Sequence, residues 1–273
     1  MTASPIKEAA QDLSAPLFQP DNVSDPNFLE SIRRLDANCA VVVAYGKILP
    51  PSLLEIFPQG AVNLHASLLP KYRGAAPIQW ALIRGEKETG VTIFQIDGFL
   101  DHGPILSQTS QVIRSEDTTE SLMKSLAELG AGVLEETLTQ MEQGKVQPKI
   151  QDERLVTRAP SLTKADGMID WNADAVSIHN RVRGVQPWPG AVTGWDQRML
   201  KIFSTRPEPD RQKKGALPGT VVGADASSEL WIQTGKGQLR IGRLQLEGGR
   251  IFDAPDFLRG HPIPVGTRLT STL

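Results

Sequence analysis

An apolar run without interruption, residues 39–44 (Cys-Ala-Val-Val-Val-Ala), constrains this fold more than any other stretch of the chain. A half-buried strand alternates apolar and polar residues, whereas this run would present apolar side chains on both faces. Such a pattern is typical of a strand that is buried on both sides in a parallel sheet. Helical patterns at residues 50–56 and 77–84 alternate with a second strand pattern at 61–65. This βαβ alternation predicts an α/β domain built on a parallel sheet.

The remainder of the first half supplies further elements of such a domain. Strand patterns lie at residues 91–96 and 105–112, and an apolar stripe at helical spacing predicts a long helix at 117–141. A doubly wound, Rossmann-like domain ordinarily opens with a strand, whereas this chain opens with a helical pattern. We therefore expect residues 1–144 to form a Rossmann-like domain that is N-terminally truncated, lacking its first strand-helix-strand unit.

Beyond residue 166 the sequence pattern changes. The polar residues 145–166 predict a linker, and a helical pattern at 173–182 follows them. Short strand patterns separated by glycines and prolines then lie at 191–195, 200–203, 219–222, 230–233, 238–246 and 265–269. They predict that residues 167–273 form a second domain, a small antiparallel β-barrel of the OB-like kind.

Composition excludes several classes of protein. The chain has 273 residues, a formal net charge of −2 and a single cysteine, which excludes an intrachain disulfide. No run approaches the ~20 apolar residues that span a bilayer, and no secretory signal is evident, so we expect a cytoplasmic protein. Four histidines without ligand spacing give no reason to expect a metal. Residues 167–273 carry 14 Lys/Arg against 10 Asp/Glu, a surplus that suits RNA or an ordinary solvated surface.

The end of the second strand pattern carries the clearest chemical signal. Asn63 and His65 bracket Leu64, so in a strand their side chains would share one face. An amide and an imidazole side by side can polarise one carbonyl and move one proton, since the unperturbed imidazole pKa lies near neutrality. Taken alone, the pair also fits two satisfied polar residues at a strand end.

The residues that follow this pair form a long, specific motif. It reads Val62-Asn63-Leu64-His65-Ala66-Ser67-Leu68-Leu69-Pro70-Lys71-Tyr72-Arg73-Gly74-Ala75-Ala76-Pro77-Ile78-Gln79-Trp80, followed by Glu88-Thr89-Gly90-Val91-Thr92 and by an acidic residue in the loop at 97–106. The motif resembles the signature of the folate-dependent formyltransferases. The resemblance extends to the C-terminal part, through Ile169-Asp170-Trp171, Pro187-Trp188-Pro189-Gly190 and Phe257-Leu258-Arg259-Gly260.

This resemblance implies a formyl transfer from 10-formyltetrahydrofolate, a co-substrate, to the amino group of initiator methionyl-tRNA. It implies the catalytic residues Asn63, His65 and Asp101, with Asn63 as oxyanion donor, His65 as proton shuttle and Asp101 as the group that holds the histidine tautomer. It implies a folate site at Val43, Ala44, Tyr45, Ser67, Leu68, Leu69, Pro70 and Asp97. Contacts with tRNA are expected at Arg181, Arg183, Lys201, Lys213, Lys214, Arg240 and Arg243. Arg73 suits either an anionic substrate or a structural role.

Two other functions also fit this sequence. Formyltransferases that act on amino-sugar nucleotides are similar in the Trp-Pro-Gly region, and a catalytically impaired chain could survive as a tRNA-binding fragment. We expect a monomer with no membrane attachment, whose partners are the folate and the tRNA.

Overall fold

The computed structural model describes residues 3–225 and 229–271, and the first half contains a four-stranded mixed sheet. Its strands are β1 (Ala40–Val43), β2 (Ala61–His65), β3 (Glu88–Gln95) and β4 (Ile105–Val112), in the spatial order β1-β2-β3-β4. β1 and β2 are parallel, whereas β3 is antiparallel to both β2 and β4. The prediction of a parallel sheet is therefore correct for the first two strands and wrong for the next two.

Helices fill the connections, and most begin at a residue that sequence rules favour. They are α1 (Pro5–Asp12), α2 (Pro26–Arg33), α3 (Pro51–Leu54), α4 (Pro77–Ile83), α5 (Thr119–Glu142), α6 (Ala175–Gly184) and α7 (Ala254–Gly260). The side chain of Asp25 accepts hydrogen bonds from two backbone amides of α2, and Thr118 and Ser121 cap α5 reciprocally. The long helix predicted at 117–141 is confirmed as α5, which packs on β3 and β4.

The direction of β3 differs from the one that the βαβ pattern predicts. The chain instead pairs Thr92 of β3 with His65 at the carboxyl end of β2. An antiparallel pair results where the sequence pattern indicated a crossover.

β1 is less buried than its composition predicts. Val41 and Val43 share one face of this strand and are exposed by 43% and 51%. β1 is the edge strand of the described sheet and pairs only with β2 among the described strands. The expectation that residues 39–44 are buried on both faces is therefore wrong for the described structure.

The second half forms the antiparallel barrel that the sequence predicts. Its strands are β5 (Ala191–Trp195), β6 (Arg198–Glu208), β7 (Val221–Asp225), β8 (Glu229–Gln233), β9 (Gln238–Leu246) and β10 (Ile251–Asp253), in the order β5-β6-β9-β8-β7 with β10 on β9. The segment predicted as a strand at 265–269 forms isolated bridges instead. Through them Thr270 pairs with Gly194 of β5 and Arg268 pairs with Thr220 before β7, which closes the sheet.

The two halves are joined by direct packing and by the segment between them. α4 packs against α6, and the Thr119 hydroxyl donates to the Gly184 carbonyl at 2.8 Å. Residues 145–166, predicted as a linker, lie along the first unit. The backbones of Lys149 and Ile105 exchange two hydrogen bonds, and the Ala159 amide donates to the Arg73 carbonyl. None of the helices in the described ranges is long and apolar enough to cross a membrane.

Candidate active site

Asn63 and His65 lie on the face of β2 that is turned away from α5. Between them, Leu64 contacts the backbone of α5 at Gly130, where an added Cβ would lie 2.7 Å from a leucine methyl group. Because side chains alternate along a strand, the two polar residues point to the opposite face, as predicted. On that face His65 meets the edge of Phe94 with ring centroids 6.5 Å apart. The strand thus fixes the amide and the imidazole two positions apart on one surface.

The tautomer of His65 is fixed by a backbone carbonyl. His65 Nε2 lies 2.9 Å from the carbonyl oxygen of Tyr72, and the residue is only 7% exposed. A carbonyl oxygen can only accept a hydrogen bond, so Nε2 must carry the proton. Nδ1 then faces Asp101 Oδ2 at 3.8 Å, which is beyond hydrogen-bonding distance. The resemblance assigned the tautomer to Asp101, whereas this geometry assigns it to Tyr72.

Asp101 is held by the backbone of the motif's glycine. Its Oδ2 accepts a hydrogen bond from the Gly74 amide at 2.7 Å, although 27 positions separate the two residues. Gly74 has φ +127°, and a Cβ there would lie 2.5 Å from the carbonyl oxygen of Ala159. No other residue type fits this approach. The glycine of the motif therefore brings the carboxylate to the histidine.

Asn63 offers the complementary group. It is half-buried, and its side-chain amide has no hydrogen-bond partner among the described residues. An unpaired N–H donor beside an imidazole suits an oxygen on which negative charge develops. The structure thus brings all three candidate catalytic residues to one end of β2.

The loop after β2 is held rigidly against the sheet. The Ser67 hydroxyl is fully buried and donates to the Lys71 carbonyl at 2.7 Å. Thr92 accepts the Leu69 amide at 3.2 Å, and the Gln108 side chain donates to the Leu69 carbonyl at 2.9 Å. Leu68 and Pro70 remain half-buried at the loop surface. Ser67 is thus a turn residue whose hydroxyl is engaged within the loop.

The other candidate folate residues come from β1 and from the segment after β3. Val43, Ala44 and Tyr45 are exposed at the carboxyl end of β1, the end at which Val43 pairs with Leu64 of β2. Asp97 is half-buried and its carboxylate pairs with His102 Nδ1 at 2.6 Å. Val43 therefore lies beside the carboxyl end of β2, whereas Asp97 follows β3, and the last residue of β3 and the residue after it pair with Val62 and Ala61 at the start of β2.

Residues 145–166 supply further hydrogen-bond partners for the motif, which the sequence did not predict. Arg73 is 2% exposed and donates to the side-chain oxygen of Gln151 and to the carboxylate of Glu153. The bond from Arg73 lowers the pKa of the Glu153 carboxyl below its ordinary value. Of the two roles open for Arg73, this environment is structural. The polar segment around Gln151 carries no motif, so its pattern could not indicate this contact.

The candidate tRNA residues fall into two groups. Arg183 is buried and donates to Asn180 and to the carbonyls of Arg114 and Asp117, and burial lowers its pKa. Its guanidinium is fully engaged in packing, contrary to the expectation of RNA contact. The others lie at the surface of the second half. Arg181 is half-buried and donates to the Asp166 carbonyl, Arg240 pairs with Glu229, and Arg243 lies near Asp253. Lys201 is a half-buried residue of β6, and Lys213 and Lys214 are exposed between β6 and β7.

Comparison with known proteins gives the same family along both halves. The formyl transferase family model matches residues 2–138, and the model of the formyl transferase C-terminal domain matches residues 161–262. The chain is 43% identical over 265 residues to a methionyl-tRNA formyltransferase of Trichlorobacter lovleyi, covering 97% of this chain and 82% of the relative. It is 46% identical over 266 residues to the protein of that name from Thermodesulfovibrio yellowstonii, covering 97% and 84%.

Solved structures with a similar fold are more distant in sequence. HypX from Aquifex aeolicus in complex with tetrahydrofolic acid matches with a TM-score of 0.63 and 19% identity, covering 84% of this chain and 40% of that chain. WlaRD, a sugar 3N-formyl transferase, matches with a TM-score of 0.64 and 17% identity, covering 90% and 82%. At these identities the similarity establishes the fold alone.

Proposed function

The chain belongs to the formyl transferase family, and we propose that it transfers the formyl group of 10-formyltetrahydrofolate to the amino group of initiator methionyl-tRNA. Relatives that carry the name methionyl-tRNA formyltransferase are 43–46% identical over 97% of the chain. The observation that carries the proposal is the meeting of Asn63, His65 and Asp101 at the end of β2, since an amide donor, an imidazole and a carboxylate are the groups this transfer needs.

Asn63 would act on the formyl oxygen. The folate supplies the formyl group on a nitrogen that can leave. As the amine attacks, negative charge builds on the formyl oxygen, and the Asn63 amide has an unengaged N–H to donate to it. Loss of such a donor typically lowers kcat by ~100-fold or more.

His65 would move the proton that the transfer displaces. A bond forms between the amine nitrogen and the formyl carbon, the bond to the folate nitrogen breaks, and one proton passes from the amine to that nitrogen. Because Nε2 is committed to the Tyr72 carbonyl, Nδ1 is the atom that can accept and return this proton. Asp101, 3.8 Å from Nδ1, stabilises the imidazolium while the proton resides there.

The barrel would bind the tRNA through its basic side chains. We assign phosphate contacts to the surface cations Arg181, Lys201, Lys213, Lys214, Arg240 and Arg243. These positions suit a polyanion, and Arg183 is omitted because its guanidinium is buried and engaged. A monomer is sufficient for this arrangement, and a tRNA substrate implies action in the cytoplasm, where translation begins.

A formylation assay with a panel of acceptors tests the proposal. We expect the purified chain to formylate methionyl-tRNA with 10-formyltetrahydrofolate, and His65→Ala and Asn63→Ala each to lower kcat by ~100-fold or more. Both variants should still bind tRNA with wild-type affinity, because neither lies on the barrel. Gln147→Glu, an exposed change away from the site, serves as the active control.

The rival functions give different results in the same assay. If the chain formylates an amino-sugar nucleotide but not methionyl-tRNA, its acceptor is the sugar nucleotide and the proposed acceptor is wrong. Wild-type tRNA binding with no transfer to any acceptor would favour the non-catalytic binding protein.

A further inference from the structure

We infer that Gln151, in the segment between the two halves, is a positioning residue that holds the Asp101 loop in its active geometry. The inference rests on the proposed formyl transfer, for which it adds a residue outside the family motif. Gln151 is 6% exposed, and its side chain forms hydrogen bonds with the backbone of the loop at residues 97–103.

Both hydrogens of the Gln151 amide are used on this loop. Nε2 donates to the carbonyl of Asp101 at 2.9 Å and to the carbonyl of Gly103 at 2.8 Å. These two carbonyls flank His102, so one side chain ties down both ends of the three-residue turn that carries the candidate carboxylate. The segment 97–103 otherwise contains exposed residues at its tip, Phe99 and Leu100.

Arg73 fixes the orientation of that amide. Its Nε and one terminal nitrogen donate to Gln151 Oε1 at 3.1 and 2.8 Å. A guanidinium can only donate, so the oxygen of Gln151 must face Arg73 and the NH₂ group must face the loop. Arg73 is itself 2% exposed and precedes Gly74, whose amide binds the Asp101 carboxylate. The same short stretch of the motif therefore anchors both the side chain and the backbone of Asp101.

The loop needs such an anchor because its backbone conformation is disfavoured. Asp101 has φ +50°, in the left-handed region that residues with a Cβ adopt less readily than glycine. Without the two amide donors, the Asp101 and Gly103 carbonyls would lose their partners and the turn could relax. A displacement of about 1 Å at a reacting centre can lower the rate by ~100-fold. Gln151 thus acts on the transfer through Asp101.

Gln151→Glu is the sharpest variant, because it keeps the shape and the acceptor for Arg73 but removes both donors. We expect kcat to fall by ~10- to 100-fold while the KM values for folate and for tRNA change by less than about threefold. Gln147→Glu, the same substitution at an exposed position of the same segment, should keep wild-type kcat. Gln151→Met, which is neutral, separates loss of the donors from the added charge and should also lower kcat.

A double-mutant cycle distinguishes positioning from general support of the fold. In an Asp101→Ala background, Gln151→Glu should change kcat by less than about twofold, since the group it positions is gone. Urea unfolding of each variant identifies those that are folded under assay conditions. A wild-type kcat in folded Gln151→Glu, or an undiminished loss in the Asp101→Ala background, would overturn the inference.

Hydrogen exchange of the free protein tests the inference independently of activity. Amides in residues 97–103 should exchange faster in Gln151→Glu and Gln151→Met than in wild type, and at the wild-type rate in Gln147→Glu. An unchanged exchange rate in folded Gln151 variants overturns the inference even if the proposed function holds. A wild-type chain that fails to formylate methionyl-tRNA overturns the proposed function and leaves this measurement decisive for the loop.

Discussion

The Tyr72 carbonyl lies 2.9 Å from His65 Nε2 and thereby decides which nitrogen of the imidazole can accept a proton. Tyr72 has φ +62°, a left-handed conformation that turns its carbonyl into the site. Because Nε2–H is committed to this oxygen, Nδ1 is left facing the carboxylate of Asp101. A backbone carbonyl thus fixes the tautomer of His65, a role that a carboxylate has in many histidine sites.

The first prediction concerns the charge of Asp101. Asp101→Asn keeps an oxygen that can accept the Gly74 amide but removes the negative charge 3.8 Å from His65 Nδ1. We expect kcat to fall by ~100-fold, within the usual range for a group that assists proton transfer, with an unfolding free energy within about 1 kcal/mol of wild type. Steady-state kinetics and urea unfolding measure the two effects. A near-wild-type kcat would show that the charge is dispensable.

The second prediction separates the side chain of Tyr72 from its backbone. The hydroxyl donates to the Glu86 carboxylate at 2.7 Å, and burial, aided by Glu86, raises the pKa of Tyr72 to about 12. Tyr72→Phe should cost about 1 kcal/mol of unfolding free energy, because this bond is lost. The kcat should stay within about twofold, since His65 contacts the carbonyl, which the substitution retains. A large loss of kcat without loss of stability would contradict the backbone role.

The third prediction divides the basic residues by function. Arg183→Met should lower the unfolding free energy by about 2–3 kcal/mol, because one buried acceptor and two partly buried acceptors lose a charged donor. Lys213→Ala and Lys214→Ala should leave stability unchanged and each reduce the slope of log K for tRNA against log salt by about 1. Titrations of tRNA at several salt concentrations give the slopes. An Arg183→Met variant with wild-type stability and a reduced salt slope for tRNA binding would refute the assignment of Arg183 to packing.

The fourth prediction is a pH dependence of stability. His179 packs at the contact between the two halves, where it meets the Thr205 hydroxyl and the Ser115 carbonyl. Burial lowers the pKa of His179 below its ordinary value of 6.5, and the nearby Arg183 acts in the same direction. As pH falls through 6.5, the unfolded chain binds a proton that the folded chain does not, so stability decreases.

Urea unfolding at pH 8 and pH 5.5 measures this effect. His179→Gln, which keeps hydrogen-bonding groups but does not titrate, should show a smaller loss of unfolding free energy between the two values than wild type. The difference in unfolding free energy between His179→Gln and wild type at pH 8 measures any packing that the substitution itself removes. Equal losses in the two proteins would exclude His179 as the titrating group.

Local patterns predicted much of this molecule because the forces behind them act over a few residues. The bounds predicted for the strands at 191–195 and 238–246 are those of β5 and β9, and the apolar stripe placed α5 within two residues at its start. The shared face of Asn63 and His65 follows from the two-residue period of a strand and needs no tertiary information. The motif around this pair indicated the family, which the comparisons confirm.

The burial of β1 and the direction of β3 depended on how distant segments of the chain pack together. The exposure of Val41 and Val43 reflects the place of β1 at the edge of the described sheet, which composition does not encode. The antiparallel direction of β3 depends on the path of the residues between β2 and β3, and no strand pattern indicates it.

The sequence by itself therefore determined which residues carry the chemistry and that two of them share a strand face. Only the tertiary structure decided how they are oriented. Gly74 reaches Asp101 across 27 positions and Arg73 reaches Gln151 across 78, and neither pairing has a periodic signature. Such contacts are set by the path of the chain and by the hydrogen-bonding demand of buried polar groups. That demand becomes visible only once the segments are packed together.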